Sequence, residues 1–294
     1  MIRETYLGGN IYYCPCANRK DDYMTDHELM IKTNHYLIQG GELTETQKAG
    51  IVRQLLNARS SPEKAQRFYR GVKATGNIER RMYPSFYIPP YNGGKKLQTV
   101  IPMSPKTQIL SANAYELEII RLLCLFVPND PTVQRIVRET IERLKTTCFG
   151  FQDCVIGECF HTSLIALRFL AAAAPHEIAW MNRIVENDQR HWDDAHRSWG
   201  VLFFFYLCLS ELPIQVAESE IRRNKNELFR RLNRSKVMNS KPDRIIHPVI
   251  SCVLRNTLIR LPEYAYLKDR KPYIDEKDGR LHFYTEESNQ NDRK

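Results

Sequence analysis

Cysteine, histidine and acidic side chains concentrate in three connections between helical segments of this chain. Four of its eight histidines lie there. Because helices packed side by side place alternate connections at one end, we expect these side chains to share one rim. The amino ends of helices at such a rim favour anions and ionised ligands. The three sets are Cys148, Asp153, Cys154, Glu158, Cys159 and His161; His191, Asp193, Asp194 and His196; and Asp243 and His247.

A zinc site is the most specific chemistry that these residues offer. Thiolate and imidazole groups at the ends of adjacent helices could supply three or four tetrahedral ligands. The spacing matches no closed structural-zinc signature, so an open, catalytic site is expected. Two alternatives stay open. The residues could be loop side chains that only face water, or a cysteine could act as a nucleophile with His161 or His196 as its base.

A second candidate surface is basic and extends over residues 222–244, where only Glu227 and Asp243 are acidic. Its cations recur at helical spacing, which predicts a positive helix face that could follow a phosphate backbone. Three tyrosines within residues 83–91 could stack on unpaired bases. An outer helix is also charged simply because it faces water, and that interpretation stays open. The candidate contacts are Arg222, Arg223, Arg230, Arg231, Arg234 and Lys236.

The elements that must position these residues are helices in pairs. Five hydrophobic runs each end at a proline, and a second helical stretch follows each proline. Inner runs are apolar nearly all round, whereas their partners are amphipathic. This pattern predicts an all-α fold of stacked helical hairpins, either an open superhelix or a partial α/α toroid. The prolines are Pro62, Pro128, Pro175, Pro213 and Pro262.

Smaller elements flank the hairpins. Thr25 or Asp26 is expected to cap a helix, Thr44 and Gln47 form a capping box, and Ser111 or Asn113 caps the next inner helix. FYIPPY and LQTVIPM are expected as two edge strands, and a β-hairpin is expected around Asp278-Gly279. The predicted divisions are an irregular region 1–43, a first hairpin 44–82, a proline- and tyrosine-rich flap 83–110, a repeat core 111–270 containing a basic linker 236–248 before a last hairpin near Pro248, and a β-hairpin with a disordered tail 271–294.

Composition narrows the class of protein. The mean hydropathy is −0.47, and the longest apolar run, Val201–Leu209, is far shorter than the roughly 20 residues that span a bilayer. The first ten residues lack a basic-then-apolar leader. Eight cysteines form no regular disulfide framework. We therefore expect a soluble, cytoplasmic protein, and its net charge of +9 favours acidic partners.

One stretch resembles a known group of enzymes. Gly150-Phe151, Cys159-Phe160 and Ala166-Leu167 are similar to the repeats of α/α-toroid enzymes over about residues 115–230. Within that group the chain looks most like the β-subunits of protein prenyltransferases, to which terpene cyclases are related. The resemblance implies that Cys159 and His196 are zinc ligands, each near the start of an inner helix.

Two functions follow as expectations. The first is a binding protein whose basic helical surface contacts nucleic acid or an acidic protein partner. The second is a metal-dependent α/α-toroid enzyme of the prenyl-transfer or cyclase type. Its site would contain Cys159 and His196 as metal ligands, with Asp194 and His161 as catalytic residues.

Overall fold

The described part of the chain is mostly helical, as the all-α prediction requires, and carries one small antiparallel sheet. A computed structural model describes residues 24–60, 84–86, 98–103, 108–151, 154, 157–190 and 198–284. None of the helices in these ranges has the length and apolar character needed to cross a membrane. The helices are α1 Asp26–Ile38, α2 Glu45–Asn57, α3 Gln108–Phe126, α4 Pro131–Lys145, α5 Cys148–Phe151, α6 Glu158–Ala173, α7 Ile178–Arg190, α8 Trp199–Glu211, α9 Ile214–Leu232 and α10 Lys241–Leu258, followed by a 3-10 helix Pro262–Leu267; the strands are β1 Lys236–Val237, β2 Lys271–Asp275 and β3 Arg280–Tyr284.

Reciprocal side-chain caps start the first two helices. The Thr25 hydroxyl accepts from the Glu28 N–H, and the Glu28 carboxylate accepts from the Thr25 N–H. Thr44 and Gln47 form the same capping box at the start of α2. Each box satisfies backbone donors that have no partner inside the helix. The predicted box at Thr44 is therefore confirmed, and of the two predicted caps for α1, Thr25 is the right one.

Helix α3 starts earlier than the sequence indicates. It begins at Gln108, so the predicted caps Ser111 and Asn113 are wrong. Asn113 lies inside the helix, where its side-chain amide donates to the Ile109 carbonyl at 2.8 Å. Asparagine can bond to the backbone either at a helix start or within a helix, and the sequence does not distinguish the two cases.

Five helices, α1, α3, α6, α8 and α10, form a closed circuit of contacts, and we call them the inner helices. Each packs against the next, and α10 packs against α1. Helices α4, α7 and α9 pack outside them, α4 on α3, α7 on α6, and α9 on both α8 and α10. Helix α8 is buried at every position from Phe203 to Leu209, whereas α4 buries Val133, Ile136 and Leu144 on one face only. Burial of these apolar faces between helices stabilises the array.

Neighbouring inner helices run in the same direction. Near their starts, the Leu110 N–H of α3 donates to the Glu158 carboxylate of α6 at 3.3 Å. Further along both helices, Arg168 meets Glu118. The amino ends therefore lie together, and we call the two sides of the circuit the amino end and the carboxyl end. Two contacts that advance along both helices show the same direction for three further neighbouring pairs. They are His27–Tyr115 and Asn34–Arg121 between α1 and α3, Leu164–Cys208 and Arg168–Glu211 between α6 and α8, and Trp199–His247 and Tyr206–Thr257 between α8 and α10.

Residues 98–103, from the predicted flap, pack among the inner helices. Val100, Ile101 and Met103 are buried. The His35 side chain of α1 donates to the Val100 carbonyl at 2.7 Å, while Pro102 lies directly against Gly200 of α8. The predicted strand LQTVIPM is therefore wrong for these six residues, because the Gln98 and Val100 carbonyls accept hydrogen bonds from the side chains of His27 and His35 rather than from a partner strand.

The region after α9 also differs from its prediction. Residues 236–248 are not a linker, since β1 pairs with β3 and α10 begins at Lys241. A capping box between Ser240 and Asp243 starts α10 early, so Pro248 lies within the helix instead of near its start. The predicted β-hairpin at Asp278-Gly279 is confirmed, with β2 and β3 antiparallel and Gly279 at φ +65°.

Several predictions fall outside the described residues. They concern the region before residue 24, the helix expected after Pro62, the tyrosines within 83–91, the FYIPPY strand beyond its first residue, Phe86, and the tail beyond 284. After Pro262 the second helical stretch of the last pair is a 3-10 helix of 6 residues. The helical-hairpin repeat thus stays a prediction.

Candidate functional site

Three cysteines converge where α5 leads into α6, and we call them the thiol cluster: Cys148, Cys154 and Cys159. Cys148 begins α5, Cys154 lies in the connection, and Cys159 lies in the first turn of α6. Their sulfur atoms all lie within 4.8 Å of one another. The Sγ atoms of Cys148 and Cys159 are 3.5 Å apart. Sulfur atoms at these separations match the ligand geometry of a thiolate metal site.

Packing from α7 fixes the position of the thiol cluster. The Trp180 indole N–H donates to the Gly150 carbonyl at 2.5 Å, and the Trp180 ring meets Phe151 edge-on at 5.5 Å. The Arg183 guanidinium lies 4.2 Å from the centre of the Phe151 ring. Gly157 has φ +58°, a conformation that favours glycine and lets the chain turn into α6. The cluster therefore depends on both α5 and the start of α6.

The environment of Cys159 does not activate it as a nucleophile. Burial raises the pKa of the Cys159 thiol to about 12, and hydrogen bonds with Cys148 and Cys154 act in the same direction. A thiol with so high a pKa is protonated at neutral pH, and the thiolate is the reactive form. The thiol cluster therefore suits a metal, which displaces the protons, better than the predicted nucleophile.

The structure describes two of the four predicted site residues, Cys159 and His161. Cys159 lies in the thiol cluster, and His161 lies two residues further along α6, half-buried, with its ring 6.0 Å from that of Phe160. Asp194 and His196 lie outside the described residues, so their catalytic and zinc roles stay predictions. The sequence placed Cys148 and Cys154 in the same connection as Cys159 but did not select them as ligands, because their spacing matches no zinc signature.

Acidic neighbours balance much of the predicted basic surface. Arg222 pairs with Glu218 at 2.8 Å and with Glu263 at 3.3 Å, and Lys225 also reaches Glu263. The sequence counted only acids within residues 222–244, whereas α9 supplies acids one turn earlier and the 3-10 helix supplies Glu263. The remaining pairs on α9 are Arg223 with Glu220, Arg230 with Glu227, and Arg231 with Glu227.

Positive charge exceeds negative charge at the carboxyl-terminal end of α9. One carboxylate, Glu227, serves both Arg230 and Arg231. Arg234 is exposed, and neither Arg234 nor Lys236 forms an ion pair within the described residues. Burial lowers the pKa of Lys236, and the nearby Arg231 and Arg234 lower it further. An anion bound here would relieve this repulsion.

Aromatic rings lie beside these cations at the amino end. The Lys236 ammonium is 5.8 Å and the Arg231 guanidinium 5.7 Å from the centre of the Phe203 ring. Trp199 stacks edge-on between Phe203 at 5.1 Å and His247 at 5.7 Å, and 38% of Trp199 is exposed. We call Trp199, Phe203, Arg231, Lys236 and His247 the aromatic–cationic cluster.

His247 is held in its neutral form in this cluster. Burial lowers the pKa of His247 and Lys236 lowers it further, while Asp243 acts in the opposite direction. The His247 Nε2 lies 3.7 Å from the Asp243 carboxylate. Its Nδ1 is buried and meets no hydrogen-bond partner among the described residues.

Four charged residues form a second polar centre towards the carboxyl end, and we call it the buried charge network: Glu118, Arg121, Arg168 and Glu211. Arg168 donates to Glu118 at 2.6 Å and to Glu211 at 2.8 Å. Arg121 pairs with Glu211 at 2.7 Å. Although burial acts to lower it, the pKa of Arg168 is raised by the two carboxylates. The charge of Arg168 is therefore satisfied by both carboxylates, whereas the buried Nε of Arg121 has no hydrogen-bond partner among the described residues.

An open pocket of about 580 Å³ lies beside this network and is lined by Arg121, Glu211, Asn256 and Arg260 among others. The Arg260 guanidinium donates to a backbone carbonyl of α8 at 2.9 Å, and the Asn256 amide donates to one of α1 at 2.9 Å. These groups already bind within the protein, so the pocket offers a ligand less than the amino end does.

The amino end thus holds a thiol cluster suited to a metal and an aromatic–cationic cluster suited to an anion with an aromatic part. No family model matches the chain, and no curated protein or solved structure matches it either.

Proposed function

We propose that the protein binds single-stranded nucleic acid through the aromatic–cationic cluster. The observation that carries the proposal is the exposed Trp199 beside Phe203, with Arg231 and Lys236 close to the same ring. Single strands bind to surfaces that combine cations for the phosphates with aromatic rings for the bases. Arg234 extends the positive surface beyond the rings. An acidic protein segment would use the cations but would gain little from an exposed indole.

We further propose that the inner helices form a partial α/α toroid that supports this surface. The closed circuit of parallel inner helices supports a toroid rather than an open superhelix. Residues 98–103 lie among these helices with Val100, Ile101 and Met103 buried. Because residues 98–103 occupy space between the inner helices, binding at the rim is favoured over catalysis inside the ring. A reducing, cytoplasmic location is part of the proposal, since all six cysteines that the structure describes are thiols.

A metal-dependent α/α-toroid enzyme of the prenyl-transfer or cyclase type is the second candidate function. The thiol cluster is the one observation that favours this candidate, because it joins the predicted ligand Cys159 to two further thiols that could bind a metal. Turnover of an allylic diphosphate that requires zinc and is lost in Cys159→Ser would support this candidate over the binding role. Absence of such turnover would remove this candidate function.

Binding of a fluorescent oligothymidylate at several salt concentrations tests the first proposal. For single strands, the slope of log affinity against log salt is about −0.7 per phosphate contact. The double variant Arg234→Gln with Lys236→Gln should therefore reduce the slope by about 1.4 if each residue makes one contact. Trp199→Ala should weaken binding by about 1–3 kcal/mol for one stacked base.

The matched control is the double variant Arg222→Gln with Lys225→Gln on α9, whose cations already meet Glu218 and Glu263. It should leave the salt slope nearly unchanged. An equal loss in both double variants would mean that only net charge matters. Binding of an acidic peptide but not of the oligonucleotide would replace nucleic acid with a protein partner, and absence of salt-sensitive binding would remove the function.

A further inference from the structure

We propose that Cys148, Cys154 and Cys159 bind one zinc ion that fastens the start of α6 to α5. This set of ligands differs from the Cys159 and His196 pair that the sequence predicts. It is independent of nucleic-acid binding, which uses other residues of the amino end. Three thiols on two helices and the loop between them make it a built cluster rather than a chance neighbour pair.

The distances fit a tetrahedral site. Zinc–sulfur bonds of about 2.3 Å place the sulfur atoms of a tetrahedron about 3.8 Å apart. The Cys148 and Cys159 sulfur atoms are 3.5 Å apart, and all three pairs are within 4.8 Å. Movements of about 1 Å or less would complete the geometry, well within side-chain rotation of the exposed Cys148. The fourth position would be filled by a water molecule or one further side chain.

The protons and charges of binding balance simply. Each thiol loses its proton to solvent as it bonds to zinc, so that one Zn²⁺ and three thiols give a site of net charge −1 and three released protons. The cluster lies at the amino end of α6, a helix of 16 residues, whose dipole favours negative charge. Zinc and the helix dipole together stabilise thiolates that would be unstable on their own.

An odd number of cysteines disfavours a disulfide as the resting state. A bond between Cys148 and Cys159 would need an oxidant, would remove two electrons and would leave Cys154 unpaired. Zinc uses all three thiols and needs no oxidant. The metal would also join an outer element to an inner helix, because α5 packs on α6 and receives contacts from Trp180 of α7. We therefore expect zinc to stabilise this corner of the fold.

The test is to purify the whole chain in the presence of a phosphine reductant and to measure its zinc content by elemental mass spectrometry. About one zinc per chain is expected. Loss of an outer-shell partner of a metal weakens binding about 10- to 100-fold, so loss of a ligand should cost at least as much. Cys148→Ser and Cys154→Ser should each lower zinc affinity by that factor in competition with a chelator.

The matched control is Cys124→Ser, a half-buried cysteine of α3 outside the cluster, which should keep its zinc. Cobalt substitution should give the visible bands of a tetrahedral site with sulfur-to-cobalt charge transfer, and these bands should weaken in Cys148→Ser. Because Cys148 is exposed, its serine variant should fold, and circular dichroism checks this. Zinc that persists in both cluster variants, or a wild-type protein with reduced thiols and no zinc, would overturn the proposal. A Cys148–Cys159 disulfide in the protein from reducing cells, or iron with sulfide in place of zinc, would overturn it equally.

Discussion

At the carboxyl end of the inner helices, Arg168 is 1% exposed and bonds to Glu118 and Glu211 at 2.6 and 2.8 Å. At the amino end, Lys236 has the Phe203 ring 5.8 Å away and no carboxylate partner among the described residues. The first cation is fully used by the fold, because leaving a buried charge without a partner is costly. The second keeps its charge available to a ligand. A basic residue is therefore informative about binding only when its neighbours are known.

The largest expected effect tests the buried side of this comparison. Arg168→Met should reduce the free energy of unfolding by about 3–5 kcal/mol, because it leaves the buried Glu118 without its arginine partner and leaves Glu211 with Arg121 alone. Urea denaturation followed by circular dichroism measures the change. The control Arg135→Met replaces an exposed arginine of α4 and should change stability by less than about 0.5 kcal/mol. Equal stability of the two variants would show that the buried charge network does not stabilise the fold.

The sequence predicts the helix that carries Arg168 but not its partners. An apolar run with one arginine is typical of a buried helix, and the predicted inner helix agrees with α6. Glu118 and Glu211 lie 50 and 43 residues away in the chain. Only the packing of α3, α6 and α8 brings them together, and periodicity within one helix contains no information on such distant pairs.

Local signals were reliable where the interaction itself is local. The capping box of Thr44 with Gln47 and the turn at Asp278-Gly279 each involve residues at most five apart, and both are confirmed. The segment 98–103 has no regular periodicity and is buried only because helices from distant parts of the chain surround it. The sequence also could not select the thiol cluster. Its three cysteines are close in sequence, but their spacing matches no zinc signature, so only the fold shows that their sulfur atoms meet.

A close backbone contact supports the aromatic side of the comparison. In Gly200→Ala the new Cβ would lie 1.9 Å from the Pro102 carbonyl oxygen, so either α8 or residues 98–103 must move. Overpacking of this kind costs about 1–3 kcal/mol. Because Trp199 is the adjacent residue, oligonucleotide binding should weaken together with thermal stability.

The control for this prediction is Ser198→Ala, in the same turn. The Ser198 side chain is exposed and makes no capping hydrogen bond, so its loss should change stability by less than about 0.5 kcal/mol. If Gly200→Ala were as stable as Ser198→Ala and bound the oligonucleotide equally well, residues 98–103 would not position Trp199.

The smallest expected effect concerns the pH dependence of stability that comes from buried histidines. His27 and His35 bond to residues 98–103, whereas His247 lies in the aromatic–cationic cluster. Burial lowers the pKa of His35, and the charge of Arg168 lowers it further, while its hydrogen bond to Val100 acts in the opposite direction. Burial likewise lowers the pKa of His27, which bonds to the Gln98 carbonyl. The unfolded chain therefore binds protons first as the pH falls below about 6.5. Stability should be fully present above that pH and should decline below it, until the folded histidines also protonate.

The slope should be at most about 1.4 kcal/mol per pH unit for each such histidine. His35→Gln keeps a side-chain donor for the Val100 carbonyl but cannot titrate, so it should make the decline in stability shallower.

His247→Gln should also make the decline shallower in the absence of ligand, because burial and Lys236 lower the pKa of His247. With oligonucleotide bound, the phosphates should offset the charge of Lys236 and favour protonated His247. The difference in pH-dependent stability between wild type and His247→Gln should then shrink, while that between wild type and His35→Gln should not. Urea denaturation between about pH 5.5 and 7.5, with and without oligonucleotide, measures both differences. Equal shrinkage for both histidines would mean that the ligand does not bind near His247.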